Sequence, residues 1–138
     1  MQSIGDICSD RSLCHLVIEW VEEESNRVAA LCNRLEELLL AQIPGLKING
    51  GGVPRLPNTS SLLFSPVDAD TLLLNLPDVM MGTGSVCTSG AIEPSHALTA
   101  IGLSREQAGS TIRASLGRFI SKEEIESAAD QVVAAFQE

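Results

Sequence analysis

The sequence predicts an α/β domain of α+β character, with a small mixed or antiparallel sheet of three to four strands flanked by helices. Three observations predict it. The chain has 138 residues, of which 44% are hydrophobic, enough for one domain with a core of its own. Its apolar periodicity switches between helical and strand-like spacing, in the order helix, strand, strand, helix, strand, short helices, strand, helix. No internal repeat or low-complexity linker breaks that order.

Residues 1–12 show no clear period, and Asp10 or Ser12 can cap the helix that follows. From Val17 the apolar positions run 17, 20, 21, 28, 31, 35 and 38, with Glu22, Glu23, Glu24, Arg27, Arg34 and Glu37 filling much of the remainder. That spacing predicts one long amphipathic helix, stopped by Pro44-Gly45. Its narrow stripe serves either core packing or a seam against a partner helix. Leu46-Lys47-Ile48 is a short strand candidate, ended by Asn49 and three glycines. Those glycines lack a following Gly-Lys-Ser/Thr, so they are a poor phosphate loop. Thr59–Ser65 reads as a strand. Asp68 is positioned to cap a helix over Ala69–Leu76, with Leu72, Leu73 and Leu76 on one side, and Pro77 ends it. Val79-Met80-Met81 reads as a brief apolar strand.

Small residues then dominate from Gly82 to Gly90, a composition that lets backbone lie open to a ligand. Pro94 suits the first turn of a short helix through Ile101, and Gly102 can close it. Ser104-Arg-Glu-Gln107 and Ser121-Lys-Glu-Glu124 both have the form of a capping box. Thr111–Leu116 alternates as a strand does. Ile125, Ala129, Val132, Val133 and Phe136 form the apolar face of a final helix.

Composition excludes several functions. The formal net charge is −9 and aromatics are 3% of the chain, so a phosphate backbone is repelled and stacking rings are scarce. No nucleic-acid partner is expected. No run of eighteen apolar residues occurs, so no membrane span is expected. The acidic N-terminus lacks the basic region of a secretory signal. Cys8, Cys14, Cys32 and Cys87 form no C-x-x-C pair and no zinc spacing, so no metal site is expected. Reduced thiols and a cytoplasmic location follow as expectations, although the sequence leaves a Cys8–Cys14 disulfide open.

Two residues carry candidate chemistry. Cys87 lies in the Gly/Ser/Thr segment, where a thiolate is accessible to substrate; Cys14 and Cys32, on or near the long helix, fit inert buried thiols. Arg113, in Thr-Ile-Arg-Ala-Ser-Leu, is either a solvated strand position or a fork for a carboxylate. His96 fits a helix cap or packing position better than the base of a Cys–His pair. Arg118 fits a structural arginine that bonds backbone or a helix terminus.

The segment Gly84-Ser-Val-Cys-Thr-Ser-Gly-Ala-Ile-Glu-Pro-Ser-His-Ala-Leu-Thr-Ala-Ile-Gly102, with Ser110-Thr-Ile-Arg-Ala-Ser-Leu-Gly-Arg-Phe119, resembles the C-terminal region of cysteine desulfurases, members of the class V aminotransferase superfamily. Arg55-Leu-Pro-Asn-Thr59, the helix at Asp68–Leu76 and the final Ser-Lys-Glu-Glu-Ile helix share the likeness, which runs from about residue 18 to 138. The implied division is an unmatched segment 1–15 and a small C-terminal domain 16–138, like that of fold type I pyridoxal phosphate enzymes. The resemblance implies that Cys87 carries a persulfide and that Arg113 binds the substrate carboxylate. Val86 stands where the family usually has alanine.

The family's large domain and its Ser-His-Lys segment have no counterpart in these residues, and Lys47 and Lys122 are the chain's two lysines. Pyridoxal phosphate is therefore expected only where a partner supplies the missing domain, and the chain alone is not expected to desulfurate cysteine. The functional expectations are three: one part of a split desulfurase, a sulfur carrier serving an acceptor protein, or a non-catalytic relic or assembly domain. The last would pair as a homodimer through the N-terminal helix or an exposed apolar face.

Overall fold

The computed structural model describes residues 11–83 and 95–137. Helix α1 spans Arg11–Gln42. Strands β1 (Lys47–Ile48) and β2 (Thr59–Leu63) follow, then α2 (Ala69–Leu74). Helices α3 (His96–Ala100) and α4 (Arg105–Gly109) precede strand β3 (Thr111–Ser115), and α5 (Lys122–Gln137) closes the order. Among the described residues the sheet is three-stranded and antiparallel, ordered β1-β2-β3. This is the expected fold class at the lower strand count.

Helices α1 and α5 pack on the sheet. Val28, Cys32, Leu35, Leu39 and Ile43 from α1 meet Ile125, Ala129 and Val132 from α5, with Leu62, Ile112 and Ala114 from the sheet. Phe64 is buried and its ring lies 6.2 Å from that of Phe136. The buried stripe of α1 thus runs 28, 32, 35, 39, a helical 4-3-4 spacing. Leu31 and Leu38, expected in the stripe, flank it half-buried, while Ile18, Trp20 and Val21 are exposed. The expected stripe drifted because it skipped Cys32 and Leu39 and extended a face beyond the reach of the sheet.

Local signals account for most boundaries. Asp68 caps α2 by accepting from the Thr71 N–H at 3.1 Å. The Ser104/Gln107 box is closed in both directions, at 3.2 and 3.0 Å, and the Ser121/Glu124 box at 3.2 and 2.8 Å. Gly45 (φ 83°) follows α1 and Gly102 (φ 93°) follows α3, both in the left-handed region that costs a glycine least.

Several expectations are corrected. Ser12 lies inside α1 and does not cap it, and α2 ends two residues earlier than expected, at Leu74 with Asn75 as its C-cap. Val79-Met80-Met81 is not a strand. The turn after α2 holds it, through Val79 N–H to Leu76 O at 3.4 Å, and only Gly82 reaches β3. Asp10, Cys8, the Cys8–Cys14 pair and Pro94 lie outside the described residues.

Candidate functional site

Strand β3 places Arg113. Its neighbours Ile112 and Ala114 are buried in the core, so strand alternation turns the Arg113 side chain outward, where it is exposed. Across the sheet Arg113 is in register with Ser61. On the opposite edge its N–H donates to Gly82 O at 2.6 Å, and Gly82 N–H donates to Arg113 O at 3.1 Å. The guanidinium makes no hydrogen bond or ion pair to another described residue. A guanidinium presents five donors in a planar fork, the geometry suited to a carboxylate.

Cys87, the other expected site residue, lies outside the described residues. The described chain stops at Thr83, just after the Gly82–Arg113 pair, and resumes at Ser95, the N-cap of α3. His96 is the first residue of α3 and is exposed; its carbonyl accepts from Thr99 Oγ1 at 3.0 Å.

Glu36, Arg55 and Arg27, to which the sequence reading assigned no role at the site, stabilise the surroundings. Glu36, buried on α1, receives both Arg55 Nη atoms, at 2.6 and 2.8 Å, and the Ser60 hydroxyl at 2.6 Å. Burial pushes the Glu36 carboxyl up, but the hydrogen bonds from Arg55 and Ser60 and the Arg55 charge outweigh it, leaving it below its ordinary value. The same pair ties Arg55, and with it the 55–58 turn, to α1. From that turn Asn58 O accepts the Leu116 N–H at 2.8 Å, just past β3. Glu36 adjoins the buried stripe, and that position was its signal in the sequence.

Arg27 is the third. It donates to Ile120 O at 2.9 Å and to Arg118 O, and pairs with Glu24 at 2.8 Å. Arg118 itself is exposed, with its guanidinium 5.8 Å from the Phe119 ring centre. The backbone-binding arginine at this corner is therefore Arg27 and not Arg118. Cys32 is buried as expected; burial and then the Glu36 charge push its thiol up, against a smaller opposing effect of Arg55. No group of three or more His, Cys, Asp or Glu among the described residues could hold a metal. No described helix is long and apolar enough to cross a membrane.

No protein-family model matches the chain. Among characterised proteins it is similar to a cysteine desulfurase of Mus musculus, 34% identical over 120 residues. It is similar also to the cysteine desulfurase IscS of Pseudomonas aeruginosa, 41% identical over 120 residues. These matches take in 87% and 85% of this chain but only 26% and 29% of the relatives, so the chain spans between a quarter and a third of their length. Among solved structures it resembles a NifS-like protein from Rickettsia africae, with TM-score 0.69 and 28% identity, over 84% of this chain and 30% of that one.

Proposed function

We propose, from the premise that the chain is homologous to a part of the cysteine desulfurases, that it is a sulfur-handling domain: Cys87 carries a persulfide, and Arg113 binds the carboxylate of an amino-acid substrate. The observation that carries the reading is the pair of backbone hydrogen bonds between Gly82 and Arg113. Cys87 follows Gly82 by five residues in the sequence. The exposed guanidinium, which bonds no other described residue, supports the carboxylate role. Loading Cys87 from a donor persulfide balances without an oxidant. The thiolate attacks the donor's sulfane sulfur, the new S–S bond forms on Cys87, and the donor leaves as a thiolate with the electrons of its broken S–S bond.

The resemblance implies pyridoxal phosphate, which supplies an electron sink when bound through a lysine. The chain's two lysines do not fit that role. Lys47 is exposed on the edge strand β1, and Lys122 is exposed in the first turn of α5, 3.9 Å from Glu126. Neither has the enclosed surroundings that tune a Schiff-base amine. Cysteine desulfuration then belongs to an assembly in which the cofactor and its lysine come from outside these residues.

Incubation with a small-molecule persulfide donor, followed by peptide mass spectrometry, tests the sulfur role. One added sulfur on Cys87, lost in C87S, is the expected result; labelling spread over the other cysteines overturns it. The exposed Ile18, Trp20 and Val21 on α1 favour a second reading, a domain that assembles with a copy of itself. Unmodified Cys87 together with a stable dimer would select that reading.

A further inference from the structure

A groove of about 570 Å³ lies between the 78–81 segment and α5, floored by the end of β3. Met80, Met81, Leu116 and Ile120 give it an apolar lining, and Met80 is 92% exposed. Asp78, Glu123 and Glu124 are its charged lining residues, and none of the described lining residues is Lys, Arg or His. Glu124 accepts the Ser121 N–H through one oxygen in the N-terminal box of α5 and keeps its charge, so with Asp78 and Glu123 it makes the lining acidic.

The floor adds a second feature. Because the Arg113 N–H and C=O point to the Gly82 edge, strand alternation points those of Ser115 to the same edge. Leu116, one residue on, turns the other way and donates to Asn58. Register places Met80 opposite Ser115, but the 78–81 segment has turned away, and no described backbone group bonds Ser115 on that edge. A free strand edge is a template for another strand.

We propose that this groove docks an extended segment of a partner protein, one that alternates apolar and basic residues. The segment pairs its backbone with Ser115, packs apolar side chains on Met80, Met81 and Ile120, and sets its cations against Asp78 and Glu123. Strand addition takes affinity from the backbone and selectivity from side chains, and charge complementarity rejects acidic segments. The inference uses no property of Cys87, so it stands or falls apart from the persulfide reading.

The test uses the full chain and a fluorescein-labelled peptide, acetyl-Val-Lys-Val-Arg-Val-amide, followed by fluorescence anisotropy at low and high salt. Saturable binding that weakens with salt is expected. Replacing the peptide's Lys and Arg by Glu, or N-methylating its central Val, should each weaken binding by about tenfold or more. The double variant Asp78→Lys, Glu123→Lys, checked for native circular dichroism, should reverse the preference toward the Glu peptide. Absence of saturable binding, equal affinity for the basic and acidic peptides, or indifference to N-methylation each overturns the proposal. The last would mean that a point-charge contact, not strand pairing, holds the peptide.

Discussion

Glu36 accepts hydrogen bonds from Arg55 and Ser60 in a setting where its side chain keeps 11% of its exposure and that of Arg55 keeps 27%. Removing one partner of such a pair strands the other's charge. Arg55→Met should therefore cost about 2–4 kcal/mol in urea unfolding, below the full loss of a sealed pair because Arg55 still touches water. Glu36→Gln should cost less, since the amide keeps one acceptor for Ser60. The pH dependence has a definite sign. Glu36 holds its proton more weakly folded than unfolded, so its contribution is complete above its ordinary value of 4.5 and is lost as pH falls through the lowered folded value. Acid titration of stability should be shallower below about pH 5 in the Gln variant. Cys32, buried with its thiol pushed up, should react with a thiol reagent only as the protein unfolds. At the proposed site, Arg113→Gln should raise the KM for a carboxylate-bearing substrate by about 10- to 100-fold in an active assembly, the worth of a charged hydrogen bond.

The two capping boxes show how far an element can be read from its own residues. Ser104 and Ser121 were legible because a cap needs only its own helix, four residues long at the contact. Ser104→Ala and Ser121→Ala should each cost about 1 kcal/mol, and the double variant about their sum, because the sites share no partner. Strands β2 and β3 were legible for a similar reason, through Leu62 and Leu63 or Ile112 and Ala114, although β2 ends at Leu63 and not at Ser65. Elements that depend on distant partners were not. The burial of α1 through Cys32 and Leu39 is decided by where the sheet and α5 meet it, which its own periodicity does not contain. The 79–81 run has strand composition, but three apolar residues after a helix are captured by the turn that ends the helix. At the candidate site, the place of Arg113 on a strand was legible from the alternation around it. The Glu36–Arg55 pair was hidden because its members stand 19 residues apart and meet only through the fold.

At the scale of the whole molecule, a net charge of −9 coexists with exposed apolar residues, among them Ile18, Trp20 and Val21 on α1 and Phe119 in the Arg118 turn. If a second copy covers that surface, sedimentation equilibrium should show a dimer at neutral pH, and Trp20→Glu should yield a monomer with unchanged unfolding cooperativity. A monomer at every concentration for the parent chain would dismiss self-assembly. Homology to about a quarter of the relatives' length fits such uncovered surface, since a portion of a larger fold presents faces that the rest would cover.

Helix α1 is 32 residues long, about 48 Å end to end, yet among its described side chains, Ile18 and those from Trp20 onward, burial begins only at Val28. Ahead of that point, among the described residues, the hold on the rest of the fold is the Arg27 grip on the 118–120 carbonyls. A protease must open a helix before it can cut it, and this half can open without disturbing the core. Brief digestion should accordingly shorten the molecule from that end, halt near Arg27, and leave a folded remainder.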